Sequence, residues 1–285
     1  MRKVLRTLAA AATLALLAPS SLGAQSNFSE ADNGRIHLEL GGMFASFDTQ
    51  AGLSATKSGL NVGAMLDFEQ IFNVPVNKTT FRGDGWWRVG KKSRIDFGYD
   101  QFTREGQRTL TEDITWGDYT IKANALADGL VDVTNIWLGY RYDFWQEEHV
   151  RISGTIGIDY LNFKTSVSAD GTVVKPDGTV LSGIRDAVFQ VKAPVPLLGF
   201  QVDGAISRHF TAGIFFRAIA VNVDNVSGYV VWTGLGLRYY PLANFGIGTA
   251  VESESIRLKK YAKESYEAQA TYAVNGLRFF VIAGF

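Results

Sequence analysis

Residues Leu277 to Phe285 read "LRFFVIAGF", and their alternation decides what kind of chain this is. Every second residue backwards from the end gives Phe285, Ala283, Val281, Phe279 and Leu277, one unbroken apolar face. The other face gives Gly284, Ile282, Phe280, Arg278 and Gly276, a mixture of small, bulky and charged groups. Side chains that alternate with period two belong to a strand, with an oily side and a mixed side.

The same rhythm runs through the rest of the chain. Ile36, Leu38, Leu40 and Phe44 oppose His37 and Glu39; Phe81, Gly83, Gly85 and Trp87 oppose Arg82, Asp84, Trp86 and Arg88. Ile95, Phe97 and Tyr99 face away from Arg94, Asp96 and Asp100, and Ile136 to Phe144 alternate against Asn135, Trp137, Arg141 and Asp143. Later segments repeat the scheme around Arg151 and Asp159, Asp203, Arg217, Arg238, and Glu252 with Glu254. Helical periodicity dominates nowhere.

Composition narrows the setting. The first 24 residues carry Arg2, Lys3 and Arg6, an apolar run from Leu8 to about Pro19, and a small-residue site ending at Ala24. That is the layout of a cleaved secretory signal peptide, leaving residues 25–285 as one domain. Its removal takes three of the 28 basic residues and no acidic one, so 25 face 28 and the net charge is −3. So mild a balance argues against a nucleic-acid partner. There is no cysteine, hence no disulfide framework, and no later apolar run long enough for a helical span. Thirty glycines accompany 19 Phe, 11 Tyr and 6 Trp, which suits close-packed β structure.

Connections set the strand count. Short ones fall at 90–93, 145–149, 207–210 and 241–244; long ones are expected at about 106–130, 164–194 and 258–270, with 224–227 short. Short and long turns alternate in transmembrane barrels, whose single-chain bacterial forms have even strand numbers. The count is ten, with twelve or eight as alternatives. Parity assigns 48–78 to a large outer loop, with "DFEQIF" a helical turn, and "TVVKPDGTVL" (172–181) reads as a projecting hairpin about Asp177-Gly178. The fold expected is all-β, an up-and-down antiparallel transmembrane β-barrel. Rings end the apolar faces: Trp87, Tyr142, Phe144, Tyr239, Phe245 and Phe285 near the short turns, Tyr99, Tyr160 and Tyr229 near the long loops. Two membrane interfaces select such belts.

Signal peptide, alternation, turn rhythm and a terminal Phe together resemble Gram-negative outer-membrane β-barrel proteins. The segment "FRGDGWWRVGKKSRIDFGYDQFTREGQRTL" (81–110) is also similar to a group of proteobacterial outer-membrane barrel proteins known mainly by fold. The resemblance implies a porin-like architecture in the cell outer membrane and a terminal strand read by the barrel assembly machinery, with Leu277, Phe279, Val281 and Phe285 as its signal.

Chemistry is sparse. The three histidines, His37, His149 and His209, fall near the short-turn end, whereas barrel lipid A deacylases, phospholipases and omptin-type proteases are similar in using a His toward the outer half. No metal-ligand spacing occurs and no cofactor is expected. The inward charges are Arg82, Asp84, Arg88, Arg94, Asp96, Arg141, Asp143, Arg151, Asp159, Asp203, Arg217, Arg238, Glu252 and Arg278. They are expected to form a salt-bridged filling for a narrow lumen. Arg257, Lys259, Lys260 and Lys263 stand as a candidate lipopolysaccharide contact at an outer loop. The expectation is a monomer with a structural or surface-interaction role. A narrow channel for small solutes or ions is the alternative, and an outer-leaflet lipid-modifying enzyme a weaker one.

Overall fold

The computed structural model describes residues 28–57, 60–62, 65–223, 225–261 and 266–285. The signal-peptide segment and Lys263 lie outside them. A short helix, α1 (Glu30–Asn33), precedes ten long strands that close into an antiparallel ring. These are β1 (Ile36–Lys57), β4 (Asn77–Arg88), β5 (Ser93–Thr109), β8 (Leu126–Gln146), β9 (Val150–Val174), β10 (Val180–Ser207), β11 (Phe210–Val223), β12 (Val226–Tyr239), β13 (Phe245–Tyr261) and β14 (Tyr266–Gly284). Between β1 and β4 come β2 (Leu60–Val62), β3 (Leu66–Asp67) and helix α2 (Phe68–Ile71); between β5 and β8 come β6 (Ile114–Trp116) and β7 (Tyr119–Ile121). The ring closes where β14 pairs with β1, from His37 against Gly284 to Ala55 against Tyr266. No helix among the described residues is long and apolar enough to cross a membrane, which leaves spanning strands untouched.

The expected apolar faces point outward. Ile156, Ile158, Leu138 and Val281 are each about 60 % exposed, and Phe285 is exposed beside Phe245. On β8 the belt runs from Ile136 to Phe144, eight steps of about 3.3 Å tilted by roughly 40°, or about 20 Å of height. That approaches the ~25 Å apolar band of a spanning barrel.

Above the belt the polarity of the faces reverses while the strands continue. On β9, Ile156, Ile158 and Tyr160 face out, but the next apolar set, Leu161, Phe163, Val167 and Ala169, is buried inside. The switch recurs on β10 between Leu197 (inside) and Leu198 (outside), and on β14 between Val274 and Leu277. Below the switch the wall is oily outside and charged inside; above it, apolar side chains turn inward, as in a water-soluble protein. The long connections therefore shrink. What reads as loop at 164–194 is mostly β9 and β10 continuing to a turn at residues 175–179, where Gly178 takes φ +85°. The hairpin about Asp177-Gly178 is present as the tip of these two strands, and the Thr179 amide holds the Asp177 carboxyl below its usual range. The helical turn in "DFEQIF" is α2, capped by Asp67 accepting from the Gln70 amide at 2.8 Å.

One seam is short. β10 and β11 pair only from Ser207/Phe210 to Leu197/Ile219, although both strands run on. Pro194 and Pro196 follow directly along β10, while the ladder to β9 passes through both without interruption. Their missing N–H groups therefore face β11, the placement that spares a ladder.

Candidate functional site

The lumen is filled in layers, each built by the inward positions of the strands. At the short-turn mouth, α1 lies across the opening. Its Asp32 accepts from the Tyr240 hydroxyl at 2.7 Å and the Thr211 hydroxyl at 2.9 Å, and Ser29 caps the helix by accepting from the Asp32 amide. Burial, then the Asp32 carboxylate, push the Tyr240 hydroxyl's ionisation upward, so it stays a donor. Phe28 packs under the Arg151 guanidinium at 4.1 Å, and Arg151 donates to the Asn33 side chain at 3.0 Å. Ala31, Tyr240, Ala250, Phe280 and Ile282 form a small apolar seal behind. Replacing Asp32 with Ala is expected to cost about 1–3 kcal/mol, since two buried donors lose their acceptor. Unfolding in lipid vesicles measures the loss, and protease added on the short-turn side should then nick residues 28–33.

Next comes the charged layer. Arg82 donates to Asp84 at 2.9 Å and to Glu252; Arg278 meets Asp84 at 2.9 Å and Glu252 at 3.6 Å. Glu39 accepts from Arg238 at 2.7 Å and from His37 at 3.2 Å, and Arg238 reaches Asp203 at 3.4 Å. Across the lumen Arg141 pairs with Asp96 at 2.8 Å and bonds Gln201, which bonds Asp203. Arg94 donates to Asp143 at 2.7 Å, with Arg151 3.7 Å away and the Ser153 hydroxyl donating at 2.7 Å. A cavity of about 70 Å³ lies among these groups, room for a few waters. Sequence reasoning left Glu39 and Asp32 out of the candidate network, though Glu39 stands in phase with Arg82 and Arg278.

Three expected members behave differently. Arg88 sits at the mouth and donates to the backbone carbonyls of Asp32, Gly34 and Lys91. Being the last residue of its strand, it meets turn backbone in place of strand side chains. Arg217 and Asp159 form no ion pair among the described residues. The Arg217 guanidinium instead lies over the rings of Trp137 at 4.6 Å and Trp232 at 4.9 Å. Arg82 stacks on Trp232 at 3.6 Å, so two arginines and two indoles make a third layer. Trp137 lies over Gly98, where an added Cβ would fall 1.7 Å from the ring, so only glycine fits. Here Asn135 donates to Asp100 at 2.9 Å and to Glu254 at 3.4 Å.

The outer half of the lumen is apolar. Phe47, Phe102, Phe163, Phe189 and Tyr272 point in from the wall, and Phe68, Phe72 and Trp116 descend from α2 and β6 to meet them. Trp116 is wholly buried, donates to the Ala187 carbonyl at 2.9 Å, and packs edge-on against Phe68. Arg104 pins this cap by reaching Glu69 at 2.6 Å, the Pro75 carbonyl at 2.9 Å and the Thr49 hydroxyl.

The proposed basic run divides by strand phase. Arg257 and Lys259 face outward, whereas Lys260 turns inward and donates to the Gln190 carbonyl at 3.1 Å. Adjacent residues of one strand cannot share a face. His149 and His209 sit exposed in short turns, and His37 is buried near the same end, stacked on Trp86. Among the described residues, no group of three or more His, Asp or Glu is placed to hold a metal ion.

No family model and no curated protein sequence matches the chain. Solved structures do. The outer membrane protease OmpT from Escherichia coli is similar at 10 % identity and TM-score 0.54, over 87 % of this chain and 97 % of that one. OprG, an outer membrane protein from Pseudomonas aeruginosa, is similar at 11 % identity, TM-score 0.35, over 92 % and 99 %; the P. putida toluene transporter TodX at 8 %, 0.37, over 89 % and 90 %. What is shared with OmpT is the fold, that of a Gram-negative outer-membrane β-barrel.

Proposed function

We propose that this chain is an outer-membrane barrel that does not conduct and whose role is structural or interactive at the cell surface. The stacked lumen carries that reading. A solute would have to displace α1, part the ion pairs of Glu39, Asp203 and Glu252, and melt an apolar cap seated on Trp116. Each layer alone suffices to stop an ion, because buried charges and a dry apolar core both oppose its passage. The terminal alternation of Leu277, Phe279, Val281 and Phe285 supports recognition by the barrel assembly machinery during insertion.

The narrow-channel reading draws on the small polar cavity, and needs both ends to withdraw. An enzymatic reading finds its histidines at the wrong mouth, where no outer-leaflet lipid reaches. Planar-bilayer recording separates these. The purified barrel should stay silent, and so should a variant lacking residues 28–33, because two barriers remain. Steady openings of the unmodified protein overturn the proposal. Lipid A mass spectra should be identical with and without the protein; a changed spectrum favours the enzyme.

A further inference from the structure

At the height just above the outer aromatic belt, the outward face of the barrel is electrically lopsided. Tyr160 on β9 pairs with Pro194 on β10, and Ala220 on β11 pairs with Tyr229 on β12, which fixes the belt's level on four neighbouring strands. Directly above or beside it, outward positions carry Lys164 on β9, Lys192 on β10, and Arg257 and Lys259 on β13. Lys164 stands opposite Gln190, and Lys192 opposite Asn162, so the two ammonium groups lie diagonally across one ladder. Arg257 stands opposite Tyr229 with its guanidinium 6.0 Å from the ring. Lys164 and Lys192 form no ion pair among the described residues. The carboxylate across from Lys164, Asp132, is taken by the Thr103 hydroxyl at 2.6 Å and the Gln101 amide at 3.4 Å. The strands that flank this sector carry Asp132 on β8, beside Lys164, Gln101 and Thr103 on β5 and Asp48 on β1 at the same height, with no cation among these.

Below the cations, Pro194, Pro196, Ala218 and Ala220 flank the short β10–β11 seam between Tyr160 and Tyr229, an apolar lane of small side chains in the belt. Cations over an apolar lane, at the interface of a spanning barrel, match an amphiphile with anionic headgroup and saturated tails.

We propose that the β9–β13 sector docks one phosphorylated glycolipid of the outer leaflet, lipopolysaccharide. Lys164 and Lys192 meet one phosphate edge, Arg257 and Lys259 the other, and the tails lie along the β10–β11 seam. The sector replaces the contiguous run 257–263 as the contact, since strand phase withdraws Lys260. The proposal stands apart from the question of conductance.

The test compares the full-length barrel extracted from outer membranes with a Lys164→Gln, Lys192→Gln, Arg257→Gln, Lys259→Gln variant. The readout is lipopolysaccharide retained per protein, by native mass spectrometry. Retention should fall roughly tenfold or more, because each cation near an anionic lipid surface adds to binding. A control, Lys91→Gln, Lys92→Gln, Lys175→Gln, Arg185→Gln, removes four charges at the turns and hairpin tip and should retain the lipid. Equal retention in variant and parent, or equal loss in the control, overturns the proposal. Should the variant fail to fold, as judged by gel mobility before and after heating, the parent decides alone. Refolded with dephosphorylated lipopolysaccharide, it should bind poorly, and undiminished binding overturns the proposal as well.

Discussion

Replacing Asp143 with Ala should destabilise the barrel by about 3–5 kcal/mol, the usual cost of removing one partner from a buried ion pair. Asp143 is wholly buried and is the shared acceptor of Arg94, Ser153 and the nearby Arg151. Its loss strands two guanidinium groups in a layer that already holds Arg141 and Arg88 nearby. Urea titration of the protein refolded into lipid vesicles measures the loss. A cost below about 1 kcal/mol would mean that water reaches the layer freely, since exposed pairs contribute no more than that. A double change, Arg94→Met with Asp143→Leu, should recover much of the loss, because apolar groups of similar volume often replace a buried pair without penalty.

Trp116→Ala should cost a comparable 3–5 kcal/mol, in the range of large aromatic truncations. The indole is fully buried, contacts Phe68, and satisfies the Ala187 carbonyl, which would be left without its donor. Its effect should also be local. The segment from residue 111 to 125 loses its anchor inside the barrel, so protease added to intact cells should cleave there in the variant and spare the parent. Trp145, outward and half exposed beyond the β8 belt, is the control. Its truncation should change the unfolding free energy by less than about 0.5 kcal/mol, as surface changes do. Equal effects at the two positions would contradict the apolar cap.

Much of the wall was legible because period two survives in a single sequence. Phe81 and Trp87 against Arg82 and Trp86, or the last nine residues, need no partner strand to be read. The charged layer followed, since polar side chains in phase with one another had to share the lumen. The apolar cap did not, and the reason lies at Tyr160–Leu161 and Leu197–Leu198. Two adjacent apolar residues there mark a strand crossing from lipid to water, where the oily face moves inside. Read as the end of the alternation, the same pair looks like the start of a loop. Nor could strand phase reveal that α2 and β6 fold inward, because Phe68, Phe72 and Trp116 are local apolar residues whose partners lie on distant strands. Arg217 shows the converse limit: its inward direction was legible, but its choice of rings over a carboxylate depends on Trp137 lying flat on Gly98.

Phe285 bonds through its backbone to Ile36 and accepts from Arg35, and α1 rests against the strand that ends there. The first and last stations of the circle are thus the same place. Loop-closure entropy makes this the most remote junction in the chain, with almost the whole polypeptide between its halves. Until that junction forms, the mouth helix lacks its contacts with the last strand and is held through its bonds to Thr211, Tyr240 and Arg151. The bonds that complete the circle therefore also finish the cover over its mouth.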